Sequence, residues 1–181
     1  HQHGLLHRDL KPSNILVDGE DRPHVLDFGL AKWIDDDETL TLTGDGGVLG
    51  TPAYAAPEQF GGTPESADAR CDVYSAGVIL YEALTGRTPY SIGGGLRALM
   101  ASFESESYAL PSTLDRQLGR ELDAILGMAL ATERDRRYAS VDALASDVRS
   151  LLAGQPVRAH PPTAAYQLGK IVRRHKAVAS L

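Results

Sequence analysis

Cysteine is nearly missing from this chain: Cys71 is the single one in 181 residues. A lone thiol excludes an intrachain disulfide framework and a cysteine-built zinc site, and it fits a reducing cytosol. Long apolar runs are missing too; none reaches the roughly 18 residues that a membrane-spanning helix needs. No repeat recurs and no tract is of low complexity. Acidic residues stop altogether at Asp147. Beyond it come Arg149, Arg158, Lys170, Arg173, Arg174 and Lys176, so positions 148–181 carry +6. A net charge of −6 for the whole chain then leaves −12 on positions 1–147. An acidic body with a basic tail points to a membrane-surface or nucleic-acid contact, with a solvated basic helix as the alternative. An initiator Met is also absent. His1 opens the chain inside a motif-dense stretch with no signal peptide before it, and the expectation is a fragment. The His1-x-His3 pair has no third ligand and so makes no metal site.

What is present is an ordinary globular composition, 43% hydrophobic and 23% charged. The chain is long enough for one domain with a core. Ile15-Leu16-Val17 and His24-Val25-Leu26 are short apolar runs on either side of a turn-rich stretch at 18–23, the pattern of a strand–turn–strand unit. Positions 30–57 are rich in Gly, Thr, Asp and Pro without a period, which predicts a long functional loop. Ala69–Thr85 predicts a buried central helix, with Gly86 as its stop. Shorter helices are predicted over 96–103 and 118–131. Another follows Ser140, with Val141, Leu144, Val148, Leu151 and Leu152 facing in. Pro156, Pro161 and Pro162 read as a stiff linker into a basic amphipathic segment at 166–179. The expectation is a mainly α body with one small hairpin near its start.

Three motifs carry the chemistry. His7-Arg8-Asp9-Leu10-Lys11-Pro12-Ser13-Asn14 matches His-Arg-Asp-Leu-x-x-x-Asn at every fixed position. Asp27-Phe28-Gly29 follows it beyond the hairpin, and Ala56-Pro57-Glu58 closes the long loop. In this order, around a hairpin, they resemble the eukaryotic-like protein kinase superfamily, and the bacterial receptor-type Ser/Thr kinases within it. The resemblance covers about positions 1–153. It implies the C-terminal lobe of an α+β kinase domain, with a long activation segment, followed by a tail over 154–181. The expected activity is transfer of the ATP γ-phosphate to Ser or Thr of protein substrates, with Mg²⁺.

Phosphoryl transfer needs positioning and charge neutralisation above all. By resemblance Asp9 is the catalytic base and Lys11 the cation on the transferring phosphate. Lys at this place resembles Ser/Thr rather than Tyr kinases. Asn14 and Asp27 are hard oxygen donors of the kind Mg²⁺ takes, and they resemble the two metal-holding residues. Leu16 resembles the floor of the adenine pocket; a buried strand residue is the plainer alternative. Thr51 resembles the Thr that bonds the catalytic Asp and Lys. His7 and Phe28 resemble two members of the family's hydrophobic stack. Glu58 and Arg137 resemble a buried structural ion pair. Asp72 resembles the anchor of the catalytic-loop backbone, with a helix N-cap as a compatible second role. Arg8 implies control by a phosphate on the activation segment, where Thr39, Thr41 and Thr43 are the candidates. Glu82 stands where some relatives read a basic substrate residue, although Ser13 replaces their second acid.

A kinase also needs a Gly-rich loop, a strand Lys and a helix Glu, and the family carries them upstream of its catalytic loop. Here His7 follows almost directly on the first position. The missing N-terminal lobe is therefore an expected partner, the isolated chain is expected to turn over negligibly, and the Leu16 surface is expected to lie exposed. The tail, Pro-rich and then Lys170-Ile171-Val172-Arg173-Arg174-His175-Lys176, resembles a juxtamembrane segment on the cytoplasmic side. It implies a cytoplasmic domain of a single-pass inner-membrane protein, contact of the 170–176 segment with the membrane, and no nucleic-acid partner. The rival from another class is a pseudokinase or scaffold, and a third reading is the product of a truncated gene.

Overall fold

A computed structural model of the chain describes positions 6–27, 52–60, 68–91 and 94–161, together with Thr163 and Tyr166. Near the start, β1 (Ile15–Val17) pairs antiparallel with β2 (Pro23–Val25), in the register Ile15 with Val25, Leu16 with His24 and Val17 with Pro23. The turn between them is tied by one side chain. The Asp18 carboxylate accepts from the N–H groups of Glu20 and Arg22 and from the guanidinium of Arg22, and it bonds the His24 ring. The His24 bond first, and the backbone donors after it, hold the Asp18 carboxyl down at about 2.

The rest is helical: α1 (Ala69–Thr85), α2 (Gly95–Ser105), α3 (Pro111–Leu114), α4 (Gly119–Ala129) and α5 (Val141–Leu152). Asp68 caps α1 by accepting from the Arg70 N–H at 2.8 Å. Gly86 ends the helix with φ of 73°, a conformation that glycine adopts without steric penalty. The helix N-cap reading of Asp72 is thus corrected: Asp68 takes that role, and Asp72 sits within the first turn. Ser140 caps α5 through the Ala143 N–H. α3 carries no sequence period to find, because it is a single turn. Pro111 starts it, and the Asp123 carboxylate fixes it by accepting from the Ser112 N–H and hydroxyl.

α1 lies between two apolar clusters. On one side Cys71, Tyr74, Val78 and Tyr81 meet Tyr90, Leu99, Phe103, Leu122, Leu126 and Leu130. On the other Val73 meets Ile125, Ala129, Tyr138, Leu144 and Val157. Its burial ends short of its C-terminus, where Leu84 is exposed, and Leu152 at the end of α5 is 82% exposed rather than facing in. Both lie in the last turns of their helices.

Gly77 shows how close α1 and α4 come. A Cβ there would stand 2.9 Å from Ala129 Cβ and 3.2 Å from Leu130 Cδ2. Gly77→Ala gains about 1 kcal/mol of helix propensity. It also forces two backbone-anchored groups apart, which costs about 1–3 kcal/mol in a close-packed core. Overpacking wins because Ala129 has no rotamer to change, so a lower urea midpoint is the expected result.

The hairpin is open on both faces, because Leu16 and Val17 are consecutive in β1 and point to opposite sides. Leu16 is 56% exposed and Val17 63%, so the plainer reading of Leu16 as a buried strand residue is wrong, and the expected exposed surface is present.

Candidate active site

His7, Arg8 and Asp9 belong to no helix or strand, so their backbone groups must find partners elsewhere. α1 supplies them. The Asp72 carboxylate, buried in its first turn, accepts from the His7 N–H (2.8 Å, Oδ2) and from the Arg8 N–H (2.8 Å, Oδ1). A carboxylate accepting backbone N–H groups makes a charge-assisted clamp, stronger than neutral bonds. Gln59 Nε2 donates to the Arg8 carbonyl at 2.7 Å, and its Oε1 accepts from the Ala56 N–H at 2.9 Å. Held on both sides, Arg8 adopts a left-handed φ of 63°. Strain of that kind persists only where the surroundings over-determine it, and it lies here one residue before Asp9.

The His7 ring is a buried connector. Its Nδ1 accepts from the Asp9 N–H at 3.3 Å, which assigns the ring proton to Nε2, and Nε2 then donates to the Leu26 carbonyl at 2.7 Å. The Leu26 N–H donates to the Asn14 carbonyl at 2.9 Å. Leu26 thereby fastens the residue after it, Asp27, beside the loop that runs from His7 to Asn14. Asp27 has a left-handed φ of 57°. Asp tolerates that region better than most residues.

Within this frame the polar side chains converge on Asp9. Lys11 Nζ lies 2.7 Å from Asp9 Oδ2. Asn14 Nδ2 donates to the Asp9 carbonyl at 2.8 Å and to Oδ2 at 3.2 Å. The amide nitrogen of Asn14 being turned to Asp9, its oxygen is the atom left for a cation. The 3₁₀ turn Pro12–Asn14 that follows Lys11 sets the spacing, and β1 leaves directly from it. Asp9 and Lys11 stay partly open to solvent while Asn14 is buried.

A second shelf begins at the 3₁₀ turn Pro52–Tyr54. Its underside is fixed to α1: Ser75 Oγ donates to the Tyr54 carbonyl at 2.8 Å, and the Tyr54 hydroxyl donates to Glu82 Oε2 at 2.7 Å. Burial first, and the Glu82 carboxylate second, push the Tyr54 phenol up to about 12, so it remains a donor at any ordinary pH. Glu82 is therefore bound to Tyr54 beside the shelf. Behind it, Arg137 grips Glu58 with both ends of its fork, at 2.7 and 2.8 Å. The same guanidinium donates to the carbonyls of Ala131 (2.6 Å), Thr132 (3.0 Å) and Arg70 (3.2 Å), and it lies 4.9 Å from the centre of the Tyr74 ring. Next to Asp72, burial and then the Asp72 charge push the Cys71 thiol up to about 12, which makes it an inert core residue.

The structure thus brings His7, Arg8, Asp9, Lys11, Asn14 and Asp72 into one assembly, and Leu16 stands on the strand that leaves it. Phe28, Thr39, Thr41, Thr43 and Thr51 lie outside the described residues. Three participants escape a reading of the sequence. Gln59 and the Leu26 backbone belong to no period, and only the position of Gln59 directly after Ala-Pro-Glu hints at it. The Tyr54–Glu82 bond joins residues 28 apart.

Comparison with known proteins gives a consistent result. The family described as "Protein kinase domain" matches residues 1–148. A probable serine/threonine-protein kinase of Streptomyces coelicolor is 40% identical over 159 residues, 88% of this chain and 23% of that protein. Serine/threonine-protein kinase PknB of Mycobacterium leprae is 38% identical over 159 residues, 88% of this chain and 25% of that protein. The crystal structure of Rad53 1-466 in complex with AMP-PNP aligns with a TM-score of 0.59 at 29% identity, over 80% of this chain and 34% of that one. The chain spans about a quarter of the length of the curated relatives it matches.

Proposed function

This chain belongs to the protein kinase domain family, and from that premise we propose that it is the catalytic half of an ATP-dependent serine/threonine protein kinase. The carrying observation is Asp9, clamped through its neighbours by Asp72 and met at 2.7 Å by Lys11. The solved relative bound to AMP-PNP supports nucleotide use. ATP would supply the γ-phosphoryl group and Mg²⁺ would neutralise its developing charge. Asp9 accepts the proton of the substrate hydroxyl as its oxygen bonds phosphorus and the bond to ADP breaks. Lys11 holds its ammonium beside the Asp9 carboxylate, where it meets the phosphoryl oxygens and favours Ser or Thr acceptors. The Asn14 amide oxygen and the Asp27 carboxylate would hold the metal, as hard oxygen donors suit it. Leu16 offers its exposed face to the adenine, and the Pro52–Tyr54 shelf faces the acceptor peptide.

With Asp9, Lys11, Asn14 and Asp27 all in place, nothing favours a scaffold without catalysis. In this proposal the Gly-rich loop, strand Lys and helix Glu come from an N-terminal lobe of a longer parent, and the isolated chain turns over negligibly. Incubating the parent with γ-labelled ATP and mixed protein substrates is expected to give phosphoserine and phosphothreonine. Label on tyrosine alone, or none, would contradict the proposal.

The tail extends it. The parent is read as a cytoplasmic kinase domain whose 170–176 segment meets an anionic membrane. Among the described residues no helix is long and apolar enough to cross a membrane. The support is the cluster of basic residues, each worth about 1 kcal/mol near such a surface. Sedimentation with phosphatidylserine vesicles that fades as salt rises is expected; equal sedimentation with neutral vesicles would overturn it.

A further inference from the structure

Over positions 156–161, the stretch read from its prolines as a stiff linker is folded back onto the lobe. Val157 is 3% exposed, inside the cluster formed by Val73, Ile125, Ala129, Tyr138 and Leu144. Two separate polar fastenings hold what surrounds it. The inner one is Asp147 on α5, itself buried, whose carboxylate accepts from the Tyr138 hydroxyl, the Arg158 N–H and the Ala159 N–H, each at 2.8 Å. The outer one is Tyr166. Its hydroxyl donates to Glu121 on α4 and accepts from the Val157 N–H at 3.0 Å, and its ring stacks on His160 at 4.1 Å.

The two fastenings differ in what opening them would leave behind. Releasing the inner one strands a buried carboxylate with two of these donors gone, and it exposes Val157; both are strongly unfavourable. Releasing the outer one returns a phenol, a carboxylate and the part-buried Val157 N–H to water, where each finds new partners at a smaller net cost than stranding Asp147.

We propose that the chain leaving α5 is held by two catches: Asp147 and Val157 fasten Val157–Ala159 permanently, and Tyr166 fastens the chain reversibly to α4. With the outer catch closed, the basic tail sets out from α4 at Tyr166. With it open, the tail sets out from His160, and its reach grows by about 20 Å when extended. The outer catch therefore sets the length of the tether between the lobe and whatever the tail contacts. It does so without unfolding a helix, and independently of the kinase reading.

Site-resolved amide exchange on the full chain and its Tyr166→Phe variant tests this, because Phe keeps the ring and loses only the hydroxyl. The expected result is a Val157 amide that exchanges about fivefold faster, the factor one ordinary hydrogen bond supplies, with Arg158 and Ala159 still protected. Spin labels at Arg120→Cys and Ala177→Cys, with buried Cys71 inaccessible to the label, are expected to move apart in Tyr166→Phe. An unprotected Val157 amide in the wild type, or one that Tyr166→Phe leaves unchanged, would overturn the proposal. So would joint loss of protection at Val157, Arg158 and Ala159, since the two catches would then be one.

Discussion

Arg137→Ala is expected to destabilise the chain by about 3–5 kcal/mol, the cost of breaking a buried ion pair by removing one partner. The Arg137 side chain is fully buried and that of Glu58 is 11% exposed, so solvent screens the pair little. The loss exceeds one pair, because the same guanidinium satisfies three carbonyls and faces the Tyr74 ring. Truncation leaves the Glu58 carboxylate and those carbonyls without their donor in a site too closed for bulk water. Marginal stability of about 5–15 kcal/mol makes this a large fraction of the total. Arg137→Lys is expected to recover only part of the loss, since an ammonium cannot reproduce a two-pronged fork that also reaches Ala131 and Thr132. Urea denaturation of both variants measures the effect. A midpoint for Arg137→Ala equal to the wild type would mean that the pair is dispensable and that Ser75, Gln59 and the Tyr54–Glu82 bond suffice to hold the shelf.

How far the sequence alone reaches follows from the range of each interaction. α1 is legible because its apolar period runs for 17 residues and is closed by Gly86. The hairpin is legible because two apolar runs flank a turn. Local chemistry also marks Ser140, whose hydroxyl caps α5. Long-range pairings are a different matter: Glu58 and Arg137 are 79 positions apart, and His7 and Asp72 are 65 apart. No period or spacing connects them, and they become readable only through the resemblance to a known family. The cap of α1 shows the limit of local reading, since Asp68 and Asp72 are both plausible acids near one helix start. Geometry decides between them, giving Asp68 the Arg70 amide and Asp72 the loop. The chain leaving α5 shows it again. Prolines between 156 and 162 mark a break in regular structure, but they carry no sign that Val157 among them is core.

The other large effect expected is in catalysis. Asp9→Asn in the parent kinase keeps the size of the side chain and an oxygen to accept from Asn14 and Lys11, so the clamp from Asp72 and the left-handed Arg8 should persist. What the substitution removes is the ability to take a proton. General-base assistance is worth about 10²–10⁴-fold, and kcat is expected to fall by that factor while the KM for the acceptor peptide changes little. Asp72→Asn provides the contrast. It leaves the base but replaces one of two charge-assisted acceptors with an amide nitrogen, so it loosens the loop and is expected to reduce the rate less. The most direct measurement is the rate of phosphoryl transfer from ATP to a Ser/Thr peptide by the wild-type parent and by Asp9→Asn, at matched folded fraction. The expected result is a loss of about 10²–10⁴-fold with an unchanged unfolding midpoint. An unchanged rate would contradict the assignment of Asp9 as the group on which this site is built.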